Sequence, residues 1–267
     1  MPASLMLVGA GKMGGAMLAG WLDAGLDPAA TSVIDPDPSD AMVRLCAERG
    51  VSLNPPEPPP AAVLVLAIKP QGLDAASPGL DRLIGPGTLL VSVLAGKTVA
   101  DLRGRLPSAR AVVRAMPNLP ASIGRGATGA FANEGVSEAR RAEAGALLSA
   151  AGVVAWLEDE ASIDAVTAVS GSGPAYVFLM VETLAEAGIA AGLTPEVAGR
   201  LARATVAGAG ALLDADPTGA GALRQAVTSP GGTTAAALQV LMAEDGMAPL
   251  MRRAVAAAKR RAGELSS

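Results

Sequence analysis

The sequence predicts an α/β protein in which a doubly wound, parallel β-sheet is followed by an all-helical domain. Two observations lead to this prediction. Short aliphatic runs alternate with helical segments up to about residue 157, and beyond residue 160 the chain becomes rich in alanine and almost free of strand signals. The predicted domains are therefore residues 1–158 and 159–267, and 51% hydrophobic residues supply cores for both.

The elements of the first domain follow from the pattern in order. Six aliphatic runs are predicted strands, at residues 5–8, 32–34, 62–67, 88–93, 111–115 and 153–157. The first helix should run from Lys12 to about Ala24 and end at Gly25, and the second should lie between Ser39 and Gly50. The proline-rich stretch 54–60 predicts a rigid surface connection without a chemical role, because proline has no amide donor.

Alanine and glycine dominate the predicted helix faces of the second domain, such as the face that contains Ala202, Val206, Gly210 and Leu213. Such helices can approach one another closely, but they carry few large side chains for a core. We therefore expect a partner subunit to complete this half, which predicts a homodimer. The acidic triplet 158–160 at the boundary is expected to be solvated and to lie at a helix N-terminus.

Composition excludes several classes of function. The chain has no histidine, which rules out Ser-His and Cys-His nucleophiles and histidine-ligated metals, and we expect no metal site. Its only cysteine, Cys46, is predicted to be a packed core thiol. A net charge of −4 argues against nucleic acid as a partner, and no stretch is long and apolar enough to predict a membrane span. We expect a cytoplasmic protein.

A glycine motif predicts the first ligand. Gly9-Ala10-Gly11-Lys12-Met13-Gly14 matches G-x-G-x-x-G directly after the first predicted strand and opens the first helix. The first glycine permits a tight turn, the second lets a diphosphate approach the backbone, and the third allows close packing of helix and strand. In this context the motif predicts a Rossmann-type dinucleotide-binding domain.

Asp35 stands 24 residues after Gly11, at the end of the second predicted strand. A carboxylate there can accept hydrogen bonds from the adenosine ribose and repels a 2′-phosphate, which favours NADH. The alternative is that Asp35-Pro36-Asp37-Pro38 is only a turn.

Ligands of open α/β sheets bind beyond the carboxyl ends of the strands, which makes three further segments candidates for the nicotinamide end. They contain Ala67, Lys69 and Pro70, then Ala95, and then Pro117 and Asn118. Each segment is equally compatible with a plain strand-to-helix turn, and Lys69 with an ordinary surface position.

Two segments of the helical half complete a family resemblance. Ser170-Gly171-Ser172-Gly173-Pro174-Ala175-Tyr176 and Ser229-Pro230-Gly231-Gly232-Thr233-Thr234, together with the glycine motif, Lys69-Pro70-Gln71 and Arg114-Ala115-Met116-Pro117-Asn118, resemble the pyrroline-5-carboxylate reductase family over nearly the whole chain. The resemblance implies reduction of a small cyclic imine, 1-pyrroline-5-carboxylate, to L-proline by NADPH or NADH. It also implies a helical domain that forms interlocked dimers, which can assemble into a decameric ring.

The last of these segments is the expected substrate site. Ser229, Gly231, Gly232, Thr233 and Thr234 lie in a loop that should lead into a helix near Thr233, whose free amides can bind a carboxylate. The resemblance implies that Thr234 lies near the ring nitrogen and that Ser229 shapes the pocket, which makes both candidate catalytic residues. Whether Thr234 donates a proton or only orients the nitrogen stays open, and a plain N-cap turn is the structural alternative.

Cofactor preference and reaction also have alternatives. The family often uses NADPH, with small polar or basic residues where this chain has Asp35, so both cofactors stay open. A related reductase acting on a β-hydroxyacid or another cyclic imine is one rival. Hydroxyacid reductases of this build generally need a lysine or similar acid in the helical half, where Lys259, far down the terminal helix, is the only lysine. A noncatalytic dinucleotide-binding protein is the other, and the presence of segment 229–234 argues against it.

Overall fold

Eight β-strands form one sheet in the computed structural model, which describes residues 1–58 and 60–266. They are β1 (Leu5–Val8), β2 (Thr31–Ile34), β3 (Ser52–Leu53), β4 (Val63–Leu66), β5 (Leu89–Ser92), β6 (Ala111–Met116), β7 (Gly126–Ala132) and β8 (Gly152–Trp156). The order across the sheet is β3-β2-β1-β4-β5-β6-β7-β8. Because β1 lies between β2 and β4, the winding of the sheet reverses at the β1/β4 pair, which is the topological switch point.

The six predicted strands are all present, but two strands escaped prediction. β3 has only two residues, and β7 is composed of glycine, alanine, threonine and one phenylalanine, without the aliphatic run typical of a buried strand. The sheet departs from the predicted parallel arrangement at β7, which pairs antiparallel with β6. The other neighbouring pairs are parallel.

Helices cover both faces of this sheet, and the elements that follow β8 in the described chain are helical. They are α1 (Lys12–Asp23), α2 (Asp40–Arg49), α3 (Leu73–Asp81), α4 (Val99–Arg105), α5 (Glu138–Ser149), α6 (Ser162–Val166), α7 (Gly173–Ala190), α8 (Pro195–Ala215), α9 (Ala220–Ala226), α10 (Thr233–Leu241) and α11 (Met247–Leu265). Trp21 of α1 and Leu147 of α5 belong to the core on one face of the sheet, and Leu73 of α3 and Leu102 of α4 to the core on the other.

The predicted ends of the first two helices are confirmed, and each has a physical cause. Gly25, just beyond α1, has φ +90°. Ser39 caps α2 by accepting the Met42 N–H, and Gly50 ends α2 in the left-handed conformation. Cys46 of α2 is buried as predicted, and burial raises the pKa of its thiol.

The chain divides into two compact units. The first comprises Met1–Gly171 and Ala258–Ser267 and contains the sheet, and the second comprises Ser172–Ala257 and contains α7 to α10 and the first part of α11. The domain boundary between residues 158 and 159 stays a prediction. Pro59 of the proline-rich stretch and Ser267 of the predicted second domain lie outside the described residues.

The second unit is helical, as predicted, and its apolar side chains are poorly covered. α7 and α8 approach closely, since a Cβ on Gly188 would lie 3.2 Å from the Ala198 Cβ. No residue of α7, α9 or α10, all of them fully described, is buried. Large apolar side chains are exposed instead, including Phe178, Leu179, Val240, Leu241 and Met242. An apolar surface of this extent is typical of a protein interface.

None of the helices within residues 1–58 and 60–266 combines the length and the apolar character that crossing a membrane requires.

Candidate active site

The glycine turn between β1 and α1 has the backbone geometry that its three glycines predict. Gly9 has φ +88°, and a Cβ there would lie 2.7 Å from the backbone of Ala67. A Cβ on Gly14 would overlap the Gly9 carbonyl oxygen. A Cβ on Gly11, by contrast, would meet nothing within 4 Å. The backbone is therefore open at the start of α1, where Lys12 and Met13 are the first helical residues and the amides have no partner within the helix.

A cavity of about 840 Å³ lies beside this turn, at the carboxyl ends of β1, β2 and β4. It belongs wholly to the first unit and sits at the switch point of the sheet, where open α/β sheets bind their ligands. Its walls include Gly9, Gly11, Asp35, Asp37, Asn54, Ala67 and Lys69. The structure therefore brings the glycine turn, the acidic end of β2 and the turn after β4 to one cavity.

Asp35 is held against the glycine turn by its own carboxylate. Its Oδ2 accepts the Ala10 N–H at 2.7 Å, and its Oδ1 accepts the Asp37 N–H at 3.0 Å. Each oxygen keeps a further lone pair for a ribose hydroxyl. Residues 35–38 can therefore form a turn while the Asp35 carboxylate still has the capacity to bind a ribose.

Asn54 is a neighbour of Asp35 that sequence reasoning missed. Its Oδ1 accepts the Asp35 N–H at 2.9 Å, and its Nδ2 donates to the Asp35 carbonyl at 2.7 Å. Asn54 also has φ +49°, a left-handed conformation in which asparagine is enriched. With Pro55 and Pro58 it lines the cavity, so the stretch 54–60, for which the sequence predicts no chemical role, borders the candidate dinucleotide site. The contact spans 19 residues, and no local pattern indicates it.

The other predicted cofactor residues lie in turns that follow β4, β5 and β6. Ala67 and Lys69 line the cavity, and Pro70 opens a 3₁₀ turn, Pro70–Gly72. Ala95 is exposed in the turn after β5, beside Gly96, which packs against the backbone of Leu265. Pro117 is buried directly after β6. Their contact with a nicotinamide stays a prediction.

Asn118, in the turn after β6, is held by protein partners. Its side chain is only 8% exposed, and both ends of the amide have protein partners. Nδ2 donates to the Ser170 carbonyl at 3.0 Å, and Oδ1 accepts the Ala127 N–H at 2.9 Å. Ser170 belongs to a π-helical turn, Thr167–Gly171, that precedes α7.

The acidic triplet is not simply solvated, and the expectation was wrong for Glu160. Its Oε1 accepts from Nη1 of the buried Arg114 at 2.9 Å and from the Val99 N–H at 2.7 Å. The neighbouring Asp159 behaves as expected for a helix N-terminus, since hydrogen bonds from Ser162 hold the pKa of its carboxyl below the usual value. Among the described residues, no group of acidic and cysteine side chains could hold a metal ion.

The predicted substrate loop lies in the second unit and leads into α10, as predicted. Gly231 has φ +71°, and Gly232 is the N-cap residue of α10, without a side-chain cap. A Cβ on Gly232 would lie 2.5 Å from the Ser229 Oγ, so a larger residue there would require the Ser229 hydroxyl to move. Thr233 and Thr234 form the first turn of the helix, which leaves their amides free for an anion.

Two family models and a curated relative match this chain. Residues 160–265 match the model for pyrroline-5-carboxylate reductase dimerisation, and residues 4–96 match that for coenzyme F420-dependent NADP oxidoreductases. The chain is similar to the pyrroline-5-carboxylate reductase of Pseudomonas aeruginosa, with 40% identity over 265 residues that cover 98% of this chain and 96% of the relative.

Two solved structures have the same fold as this chain. A pyrroline-5-carboxylate reductase from Coxiella burnetii superposes with a TM-score of 0.91 and 35% identity, covering 100% of both chains. The Plasmodium falciparum pyrroline carboxylate reductase with NADP bound has a TM-score of 0.79 over 99% of this chain and 98% of its own, and at 24% identity it shows similarity of fold alone.

Proposed function

Because the chain belongs to the pyrroline-5-carboxylate reductase family, we propose that it transfers a hydride from NADPH or NADH to the C=N bond of 1-pyrroline-5-carboxylate and yields L-proline. The strongest structural support is that the chain has two glycine-lined helix starts suited to anions. The open glycine turn lies at the switch point of the sheet, and a second glycine-lined helix start is available for a substrate acid.

The dinucleotide would bind along the cavity of the first unit. Its diphosphate would contact the backbone at Gly11 and the first amides of α1, and its adenosine ribose would hydrogen-bond to Asp35. The turns with Ala67, Lys69 and Pro70, with Ala95, and with Pro117 and Asn118 would surround the nicotinamide. When bound, the reduced nicotinamide supplies the hydride.

The substrate carboxylate would bind at the start of α10. The amides of Thr233 and Thr234 are suited to an anion, and the absence of side chains at Gly231 and Gly232 keeps access open. Ser229 would shape the pocket next to Gly232. The Thr234 hydroxyl would lie near the ring nitrogen, where it either donates a proton or orients the ring.

The reaction needs little acid–base machinery from the protein. If the imine binds protonated, its carbon is already electrophilic, so hydride addition to that carbon completes the neutral ring amine. The protein then has to hold donor and acceptor carbons about 3–3.5 Å apart and exclude water. A chain without histidine can meet both requirements.

Assembly and location complete the proposal. We propose a homodimer formed through the helical half and further assembled into a decameric ring, with the exposed apolar faces of α7 and α10 as the contact surface. We also propose a cytoplasmic location, which agrees with a lone, reduced Cys46.

The decisive experiment follows the loss of NADH and NADPH absorbance with 1-pyrroline-5-carboxylate, with 1-pyrroline-2-carboxylate as the comparison substrate. We expect turnover of the first with at least one cofactor and weaker turnover of the second. Absence of turnover with either imine, in a preparation that binds the dinucleotide, would favour the noncatalytic alternative.

Thr234→Val tests the substrate half separately. Removing the hydroxyl should lower kcat by about 10²-fold or more if Thr234 donates the proton, and by less if it only orients the ring. Dinucleotide affinity should not change, and Thr234→Ser should restore most of the rate. Thr218→Val, at an exposed position between α8 and α9, is the matched control. An unchanged rate for Thr234→Val would remove the residue from the mechanism.

A further inference from the structure

The side-chain amide of Asn118 joins three segments that are remote in sequence. It follows β6, accepts the N–H of Ala127 at the start of β7, and donates to the carbonyl of Ser170 in the π-helical turn. Each end of the amide has a protein partner, and the residue is buried. A buried polar group loses free energy when its partner is removed, so these bonds constrain the positions of all three segments.

The π-helical turn is in contact with β6 at a second point. A Cβ added to Gly171, the last residue of the turn, would lie 3.1 Å from the Met116 Cε at the end of β6. Ala168 within the turn is fully buried. π-helical turns are rare and frequently occur at functional sites.

The segment that contains this turn is also fixed at its other end. Arg114 of β6 forms an ion pair with Glu160, two residues before α6. Residues of β6 and of its following turn therefore hold the stretch 160–171 at both of its ends. This stretch leads directly into α7, whose first residues belong to the Gly-Ser-Gly-Pro motif.

The opposite end of the β6/β7 pair has a matching asparagine. Asn133, just beyond β7, accepts the Val112 N–H at 2.9 Å and donates to the Arg110 carbonyl at 3.0 Å. It is as buried as Asn118. Each side chain accepts one strand N–H and donates to one carbonyl. The hydrogen bonds of Asn133 go to the start of β6 and to the residue before it, whereas Asn118 donates to the π-helical turn.

We propose that Asn118 is a positioning residue: its side-chain amide fixes the π-helical turn Thr167–Gly171 and makes no direct contact with the nicotinamide that the turn after β6 would border. The proposal rests on the proposed reductase function and names a residue that acts on the reaction through its neighbours. Because both ends of the amide bond to protein groups and the residue is buried, the geometry assigns it to the protein scaffold.

The test compares Asn118→Asp with Asn133→Asp. Each variant keeps an acceptor for its strand amide and replaces a donor with a carboxylate oxygen that faces a carbonyl. We expect both to lose similar stability in urea. Only Asn118→Asp should lower kcat for the imine, by about tenfold as for one buried hydrogen bond, with the dinucleotide Kd within about twofold of the original.

A lower kcat in Asn118→Asp could come from a disturbed π-helical turn or from a lost contact with the cofactor, and hydrogen exchange separates the two. Amides of residues 167–176 should exchange about tenfold faster in Asn118→Asp and stay unchanged in Asn133→Asp. Gly171→Ala disturbs the same turn from the side of Met116, without altering residue 118, and should lower kcat by a few-fold while leaving the dinucleotide Kd unchanged. It keeps the test available if Asn118→Asp does not fold.

One pattern of results would overturn the proposal: a dinucleotide Kd raised fivefold or more in Asn118→Asp, with exchange in residues 167–176 equal to that of Asn133→Asp. Asn118 would then bind the cofactor directly. A wild-type chain without imine turnover would refute the proposed reaction instead, while the exchange comparison would still report on the asparagine and its turn.

Discussion

Asp35 is the residue whose chemistry the structure constrains most tightly. Its backbone is held by both ends of the Asn54 amide, and its carboxylate is held by the amides of Ala10 and Asp37. A negative charge is thus fixed at the end of β2, next to the glycine turn. A ribose with free hydroxyls gains hydrogen bonds there, whereas a 2′-phosphate meets repulsion.

Substitution of Asp35 should therefore change cofactor preference. We expect the original chain to have a higher kcat/KM with NADH than with NADPH, and Asp35→Ser to shift the ratio toward NADPH by about tenfold or more. The kcat/KM values for both cofactors at saturating imine measure this shift. Asp27→Ser is the control, because that carboxylate only caps the 3₁₀ turn before β2. A strong NADPH preference of the original chain would contradict the ribose role.

The sequence predicted individual residues well where their roles are local. The close contact of Gly14 with Gly9, the caps of α2 and the N-cap position of Gly232 all depend on neighbours a few residues away. Asn54, Glu160 and Asn118 depend on partners 19, 46 and 52 residues distant. Such side chains can be recognised only when the fold is known, which is why one was given no role, one was taken for solvated, and the amide bonds of the third were not foreseen.

At the scale of elements, the contact between α1 and β1 depends on Gly14. A Cβ at this position overlaps the Gly9 carbonyl oxygen, which is a backbone atom that no rotamer change can move. The helix would have to shift away from the strand, and the turn that presents the free amides would shift with it.

Gly14→Ala should thus weaken dinucleotide binding by at least tenfold and lower the free energy of unfolding by about 1–3 kcal/mol. Titration of intrinsic fluorescence with NADH and urea unfolding measure the two effects. Gly104→Ala in α4 is the matched control, because a Cβ there meets nothing within 4 Å, and it should be neutral or slightly stabilising. Equal affinity of both variants for NADH would contradict the role of Gly14 in shaping the turn.

The elements that the pattern failed to predict have a common cause. β7 is built from small residues and obtains its place from hydrogen bonds to β6 and β8 rather than from its own propensity. Its glycines are required by close neighbours, since a Cβ on Gly129 would lie 2.7 Å from the Val166 side chain. A strand whose composition is determined by close packing gives no aliphatic signal in the sequence.

At the scale of the whole molecule, the helical half is expected to associate with another subunit, because a single chain leaves its apolar side chains uncovered. The family model for dimerisation covers residues 160–265, and the helices in this range expose the side chains that would normally form a core. The small residues of α8 allow α7 to approach it, but this contact buries only alanines of α8. The sequence could predict a partner from composition, but not which faces remain open.

Phe178 of α7 offers a direct test of that association, because its side chain is 54% exposed in the single chain. The original chain should sediment as a dimer or a larger assembly at micromolar concentration. Phe178→Lys should weaken association by about tenfold or more, since each subunit would lose burial of an aromatic side chain worth about 1.5–3 kcal/mol and gain a charge at the interface. Sedimentation velocity over a hundredfold range of concentration measures the effect.

Val43→Lys, at an exposed apolar position on α2 of the first unit, is the control and should leave the mass of the assembly unchanged. If the original chain stays monomeric throughout this range, then the apolar surface of the helical half does not form the subunit interface.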